Sequence, residues 1–257
     1  MAFDFLKVHN EQAVGWIEYN RPPRNAFTFE MNGEVTAAVE AHVADPGVRV
    51  IVIGSALDDY FSVGADVQIF DGISREGIIA LATQVHDLAR TLRRSPKPLL
   101  AAIHGTAVGG GLEMTLHCDI RFAAEDARLG QPEVNINFIP PIGTTQSLVR
   151  LLGRPRALRY LYEGTLVSAR EAQAMGLVDG LFPPRRLREE VQDYAAALAA
   201  KPPEALAAIR RTITEGMELP FEEALKLEFD AVVELAGTEN FAEGVRAFLE
   251  KRKPVWR

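Results

Sequence analysis

Apolar positions along this chain change their period in a regular way. Val14, Trp16 and Ile17 fall in a short run, 14–19, that reads as a strand. Met31, Val35, Val39 and Val43 then recur every four residues, the spacing of one helix face. Residues 48–53 are apolar except for Arg49, which predicts a buried strand. Ile78, Leu81, Val85, Leu88 and Leu92 repeat at three and four, a second amphipathic helix. Residues 98–103 and 119–123 predict two more buried strands. Alternation of strand and helix implies parallel pairing with right-handed crossovers.

The pattern turns helical after about Pro140. Residues 143–152 and 155–162 predict short helices. Ser168-Ala169-Arg170-Glu171 is a capping box that opens another, ending near Gly176. From Leu187 onward, apolar stripes at helical spacing dominate: Leu206, Ile209 and Ile213, then Phe221, Leu225 and Phe229, then Val245, Phe248 and Leu249. The expectation is an α/β core over residues 1–195 and a C-terminal helical region over 196–257. Those last helices have stripes to pack on their own core or on a neighbouring subunit.

Composition narrows the field. The 257 residues are 47% hydrophobic and 25% charged, ordinary for a globular chain, and the net charge of −7 argues against a nucleic-acid binder. Cys118 is the single cysteine, so no intrachain disulfide can form and a cytoplasmic home is expected. The first residues carry Asp4 and no long apolar run, so no secretory signal is expected. No stretch approaches the roughly 18 uncharged apolar residues of a membrane span. His9, His42, His86, His104 and His117 lack metal-ligand spacing, and no metal is expected.

The candidate chemistry lies after the strands. Gly109-Gly110-Gly111 follows the strand at 98–103 and opens a helix on bare backbone N–H groups, which can hold a developing negative charge. A phosphate loop would continue with Lys-Ser or Lys-Thr; here Leu112-Glu113 follows, and an acid beside phosphate would repel it. A second acid, Glu133, closes Leu129-Gly130-Gln131-Pro132-Glu133. Two carboxyls beside an anion site suit water addition or a proton shuttle. Phe61-Ser62-Val63-Gly64-Ala65-Asp66 is a further strand–turn junction, where Asp66 can cap the next helical turn.

Taken together, these segments resemble the crotonase (enoyl-CoA hydratase/isomerase) superfamily. The resemblance runs from Asn20-Arg21-Pro22 and Asn25-Ala26, through Phe61–Asp66, Gly109–Glu113, Cys118-Asp119-Ile120 and Gly130–Glu133, to Glu250–Pro254. It implies a spiral of ββα units followed by helices that build trimers, often paired into hexamers. It also implies an acyl-CoA thioester substrate, with coenzyme A entering as part of that substrate and no separate cofactor. By motif match, the backbone N–H groups of Ala65 and Gly110 would grip the thioester carbonyl. Glu113 and Glu133 would handle the protons of hydration, giving a 3-hydroxyacyl-CoA from a 2-enoyl-CoA. Arg24, Ala26, Gly64, Asp66, Val67, Gln68, Gly109, Pro132, Pro141, Phe248 and Lys251 would contact coenzyme A or the acyl chain. Isomerisation, or hydrolysis or hydration of an unusual acyl-CoA, are the alternatives on the same site.

Two departures from the family pattern bear on that reading. Ile139-Pro140-Pro141-Ile142-Gly143-Thr144-Thr145-Gln146 replaces two expected glycines with Pro141 and Thr144. The first of those glycines lends an N–H to the attacking water in the family, and proline has none to lend. Val67-Gln68 stands where the family often has a lysine for coenzyme A; Arg24, Lys251 or Arg252 could supply that charge. Other residues read more plainly. His104 and His117 suit packing or hydrogen bonding, and Cys118 and Ser62 lack a nucleophile's setting. Phe70, Phe138 and Ile142 suit either core or acyl pocket. The basic run Arg90–Lys97 ends a helix, where cations are stabilised by the dipole. One crotonase relative binds RNA through a lysine-rich helix; here the acidic chain and the lack of interleaved aromatics argue against that use.

Overall fold

In a computed structural model that describes residues 3–256, the chain winds as repeated strand–strand–helix turns. The first hairpin is β1 (Leu6–Glu11) and β2 (Val14–Tyr19), followed by β3 (Ala26–Phe27) and α1 (Phe29–Ala44). The second turn is β4 (Val50–Ser55), β5 (Tyr60–Ser62), β6 (Gly64–Ala65) and α2 (Arg75–Arg94). The third is β7 (Leu99–Ile103), β8 (Thr106–Val108) and α3 (Gly110–Thr115). The fourth begins with β9 (Ile120–Ala124) and β10 (Arg128–Gly130), then a 3-10 turn at Glu133–Ile136. Helices α4 (Thr144–Leu152) and α5 (Arg154–Glu163), strand β11 (Leu166–Ser168), α6 (Ala169–Met175) and β12 (Gly180–Phe182) complete it. Then come α7 (Leu187–Ala199), α8 (Pro203–Gly216), α9 (Phe221–Ala236) and α10 (Glu239–Leu249).

From the second turn on, each gives its first strand to one sheet and its next to another. The larger sheet runs β1-β2-β4-β7-β9-β12; only β1–β2 is antiparallel in it. The smaller runs β11-β10-β8-β5, and β3 pairs with β6 beside it. This is the ββα spiral expected from the motifs. The central parallel strands β4 and β7 are almost wholly apolar because both faces are covered, and they are buried along nearly their whole length. Trp16, Tyr19, Phe61, Ile51 and Ile53 are at most 1% exposed. Burying a side chain such as Phe61 or Ile53 contributes roughly 1.5–3 kcal/mol.

The helices predicted from periodicity are α1, α2, α4 and α5, and the capping box opens α6 as read, with Gly176 at φ 88° ending it. The strand expected at 48–53 starts two residues later, at Val50. Helix α7 packs against β2, β4, β7 and β9. Helix α8 is tied to the core by Arg210, which is 8% exposed. Its guanidinium donates to both Asp119 carboxylate oxygens at 3.0 and 2.9 Å, and to the carbonyls of Leu92, Arg93 and Ser95 that end α2. The last carbonyls of a helix lack i+4 partners, and Leu92 O has only a long 3.4 Å bond from Ser95 N, so one cation satisfies both the helix end and the acid. Beyond that anchor, Ile209, Ile213, Phe221, Phe229, Phe248 and Leu249 are exposed. No helix among the described residues is long and apolar enough to cross a membrane.

Candidate active site

The glycine run does what its backbone freedom allows. Gly109 takes φ 53°, a conformation L side chains rarely adopt, and delivers the chain from β8 into α3 at Gly110. No side chain caps α3, so its first N–H groups, Gly110's among them, have no partner within the helix. A second junction lies against it. A Cβ on Gly64, which has φ 81°, would sit 2.9 Å from Gly110 N and 2.9 Å from Val108 O. A Cβ on Gly110 would come within 3.8 Å of Ala65 N. The missing side chain at Gly64 is what lets the Gly64–Ala65 turn lie against the Gly110 amide.

A buried network holds the Gly64–Ala65 turn. Asn25, 0% exposed and at φ 52°, donates from its amide to Ser55 Oγ at 2.9 Å and to Phe61 O at 3.0 Å. Ser62 Oγ donates to Asn25 O at 2.7 Å and accepts from Gly64 N at 3.0 Å. Ala26 and Phe27 pair in register with Gly64 and Ala65. Ser62 is therefore occupied in hydrogen bonding, as expected of a residue without a nucleophile's setting. Asp66 caps the 3-10 turn at Val67–Phe70 by accepting from Gln68 N, and an Arg21 guanidinium stands 3.4 Å from it. Val67 and Gln68 are exposed at the rim, and the Arg24 guanidinium lies 5.9 Å above the Tyr60 ring.

Glu113 lies in the first turn of α3 and is 0% exposed. Its Oε2 accepts from Ile142 N at 2.7 Å and from Thr144 Oγ1 at 2.7 Å. Its Oε1 is buried with no hydrogen-bond partner among the described residues. Burial and then the Glu133 charge push the carboxyl up to about 8, against the pull of the two donors. Glu133 opens the 3-10 turn after Pro132 and is half-buried; burial pushes it up to about 7. A Cβ on Gly109 would fall 2.8 Å from Glu133 Oε1, so the glycine also makes room for the second acid. Gln131, 1% exposed, can turn its amide nitrogen to donate to Glu133 Oε1 at 3.2 Å and Oε2 at 3.1 Å. Burial raises both carboxyls into the neutral range, where either can hold a proton.

The fold thus brings together Ala65, Gly110, Glu113 and Glu133 with Gly64, Gly109, Pro132 and Pro141 around them. The rings of Phe70 and Phe138 meet at 5.6 Å, and Ile142 is buried against Gly110. Phe248 and Lys251 stand elsewhere in the single chain. Phe248 is 83% exposed and lines a cavity of about 390 Å³ with Pro202, Phe241 and Trp256, while Lys251 is exposed just past α10. Arg252 is taken up by Glu243, at 2.6 and 2.8 Å. Three residues near the acids carry contacts that sequence reasoning did not assign: Thr144, Gln131 and Tyr160. The Tyr160 hydroxyl is buried without a partner among the described residues, and the Glu133 charge helps push its ionisation up. Cys118 is buried, its thiol pushed up to about 12, which fits the expectation that it is no nucleophile.

Adjoining amides near two raised carboxyls are an arrangement that can stabilise a developing oxyanion and move a proton. Sequence comparison agrees over the full length. The profile of the enoyl-CoA hydratase/isomerase family matches residues 9–257, and the chain belongs to that family. It is 37% identical to a probable enoyl-CoA hydratase of Bacillus subtilis (strain 168), over 96% of each chain. It is 34% identical to the crotonyl-CoA hydratase of Syntrophomonas wolfei, over 98% of each. Its fold superposes on an enoyl-CoA hydratase from Geobacillus kaustophilus HTA426 with a TM-score of 0.97 and 32% identity, covering 100% of this chain and 98% of that one.

Proposed function

We propose that this enzyme hydrates 2-enoyl-CoA thioesters to 3-hydroxyacyl-CoA. The observation that carries the reading is the pairing of Glu113 and Glu133, both raised into the neutral range, beside the adjoining amides of Ala65 and Gly110. The thioester oxygen sits against the two N–H groups, which stabilise the charge of the enolate as it forms. One carboxylate takes a proton from water while the water oxygen bonds to Cβ and the double-bond electrons move toward the carbonyl. The protonated partner delivers its proton to Cα, which restores the carbonyl and adds one water in all. Coenzyme A is carried in on the substrate, along the rim formed by Arg24, Ala26, Gly64, Asp66, Val67 and Gln68, and no separate cofactor takes part. The acyl chain runs between Gly109, Pro132 and Pro141.

The exposed apolar faces of α8–α10 support assembly with further copies of this chain, a trimer or a pair of trimers, which would cover Phe248 and Lys251 or bring them to a neighbour's substrate. Light scattering on a size-exclusion column checks this: a monomer at micromolar concentration would overturn it. For the reaction, purified protein mixed with crotonyl-CoA should consume the enoyl absorbance. No turnover across short, long and aryl-substituted enoyl thioesters would sink the hydratase reading.

One observation favours a second reading. Pro141 has no N–H, and the next amide, Ile142, is already spent on Glu113. Loss of those two amides for placing water suits a double-bond isomerase, in which a single carboxyl moves one proton.

A further inference from the structure

Glu113 is held by one oxygen only. Ile142 N and Thr144 Oγ1 both lie 2.7 Å from Oε2, while Oε1 has no partner among the described residues. The Ile142 amide can only donate. With both groups donating to Oε2, a proton carried by Glu113 resides on Oε1; Oε2 could take it only if the Thr144 hydroxyl turned round to accept. The Ile142 peptide is itself pinned from behind. His117 Nε2 lies 2.6 Å from Ile142 O, and a carbonyl only accepts, so Nε2 carries the hydrogen. Burial pushes His117 down to about 4, so this clamp stays neutral through the working range.

Of the two donors, Thr144 is the side chain. It is the first residue of α4 and 0% exposed, and its hydroxyl is held by burial and by the 2.7 Å bond to Oε2. We infer that Thr144 is a positioning residue for proton transfer: with the Ile142 amide it fixes Oε2 as a permanent acceptor. That leaves Oε1 as the one Glu113 oxygen that exchanges protons with water or the acyl chain, and Thr144 sets how readily it does so. The assignment of a step rests on the hydratase reading above; the hydrogen bond and its effect on acidity do not. The titratable groups around Glu113 are Glu133 on the turn after β10 and neutral His117 behind the loop.

Thr144→Val keeps the shape and removes the O–H; Thr144→Ser restores it. With crotonyl-CoA, the Val variant should lose about tenfold in kcat with KM nearly unchanged. The acid limb of its rate profile should move up by about one pH unit, and Ser should return both toward the parent. A second series needs no turnover. Thermal unfolding of parent and Val variant is followed from pH 5 to pH 9. The variant's deficit should grow with pH, because a carboxylate deprived of a donor binds its proton more tightly in the folded state. That growth should vanish when both proteins carry Glu113→Gln. A deficit that is flat with pH, or a Ser variant as impaired as Val, would overturn the role of Thr144. A parent that turns over no enoyl thioester would sink the hydratase reading instead, and the unfolding series would still decide the hydrogen bond. Should the Val variant fail to fold, Thr144→Gly carries the same test, with the same upward shift expected and an unshifted profile counting against it.

Discussion

Glu113 and Glu133 are 20 residues apart in sequence and stand in opposite settings. Glu113 is on a helix, 0% exposed, with one oxygen held by the loop that begins α4. Glu133 opens a single 3-10 turn, stays half-buried, and has the reach of one glutamine amide. Both carboxyls are raised, but burial is deeper for Glu113 and it also feels the charge of its partner. The contrast teaches that one acid is built as a fixed post and the other as an adjustable arm. In the proposed hydration, two groups that share one proton gain from that arrangement, because only one of them needs to follow the substrate.

The largest effects should come from deleting either acid. Glu113→Gln and Glu133→Gln should each lower kcat by roughly 10²–10⁴-fold, the usual worth of a positioned acid or base. Near-equal losses in steady-state assays fit two carboxyls acting on one water. A loss confined to one of them would favour the isomerase reading and break the comparison. Next comes the floor beneath both. Gly64→Ala places a methyl 2.9 Å from Gly110 N at φ 81°, so the two amides must separate. We expect a loss of about a hundredfold in kcat, and a lower melting temperature from backbone strain. An Ala variant with parental kcat would remove Ala65 and Gly110 from the chemistry.

How far this contrast was legible in the sequence follows from what each part depends on. The start of α3 could be read because three glycines after an apolar strand leave few other conformations. The helices α1 and α2 could be read because they bury one face over four or more turns. Strands β5, β6, β8, β10, β11 and β12 are two or three residues long, too short for any period to register. Strand β1 escaped for another reason: Leu6-Lys7-Val8-His9-Asn10-Glu11 is an edge strand with only two apolar residues. Thr144 was visible as a departure from the family pattern, but not its partner. The two are 31 residues apart and meet only when α4 closes over α3. Gln131 stood inside a recognised motif, yet its use depends on the turn that brings Glu133 back over it.

A smaller effect tests the fixed post through stability. Both carboxyls bind protons more tightly in the folded chain than in the unfolded one, where a glutamate titrates near 4.5. Stability from this pair is therefore complete below that value and is lost as pH rises through about 7 and then about 8. Between pH 5 and pH 9 the melting temperature should fall, and Glu113→Gln should flatten the fall. At pH 9 the Gln variant should be the more stable protein by roughly 1–4 kcal/mol, since it buries no charge. Calorimetry at several pH values measures this; parallel curves for the two proteins would mean that Glu113 is not the buried group that titrates.

The smallest effect belongs to the adjustable arm. The Tyr160 hydroxyl is buried close enough to feel the Glu133 charge and makes no hydrogen bond among the described residues. Removing a buried hydroxyl that has no partner should cost nothing and can recover part of its desolvation, about 1 kcal/mol. Tyr160→Phe should therefore fold with an equal or slightly higher melting temperature. Its kinetics sharpen the comparison. If Glu133 is positioned by Gln131 alone, kcat stays within about twofold of the parent. A drop in kcat beyond tenfold at unchanged stability would mean that the phenol reaches Glu133 during turnover. The arm would then have a second support that the resting structure keeps unengaged, and the two acids would be less unlike than their resting geometry suggests.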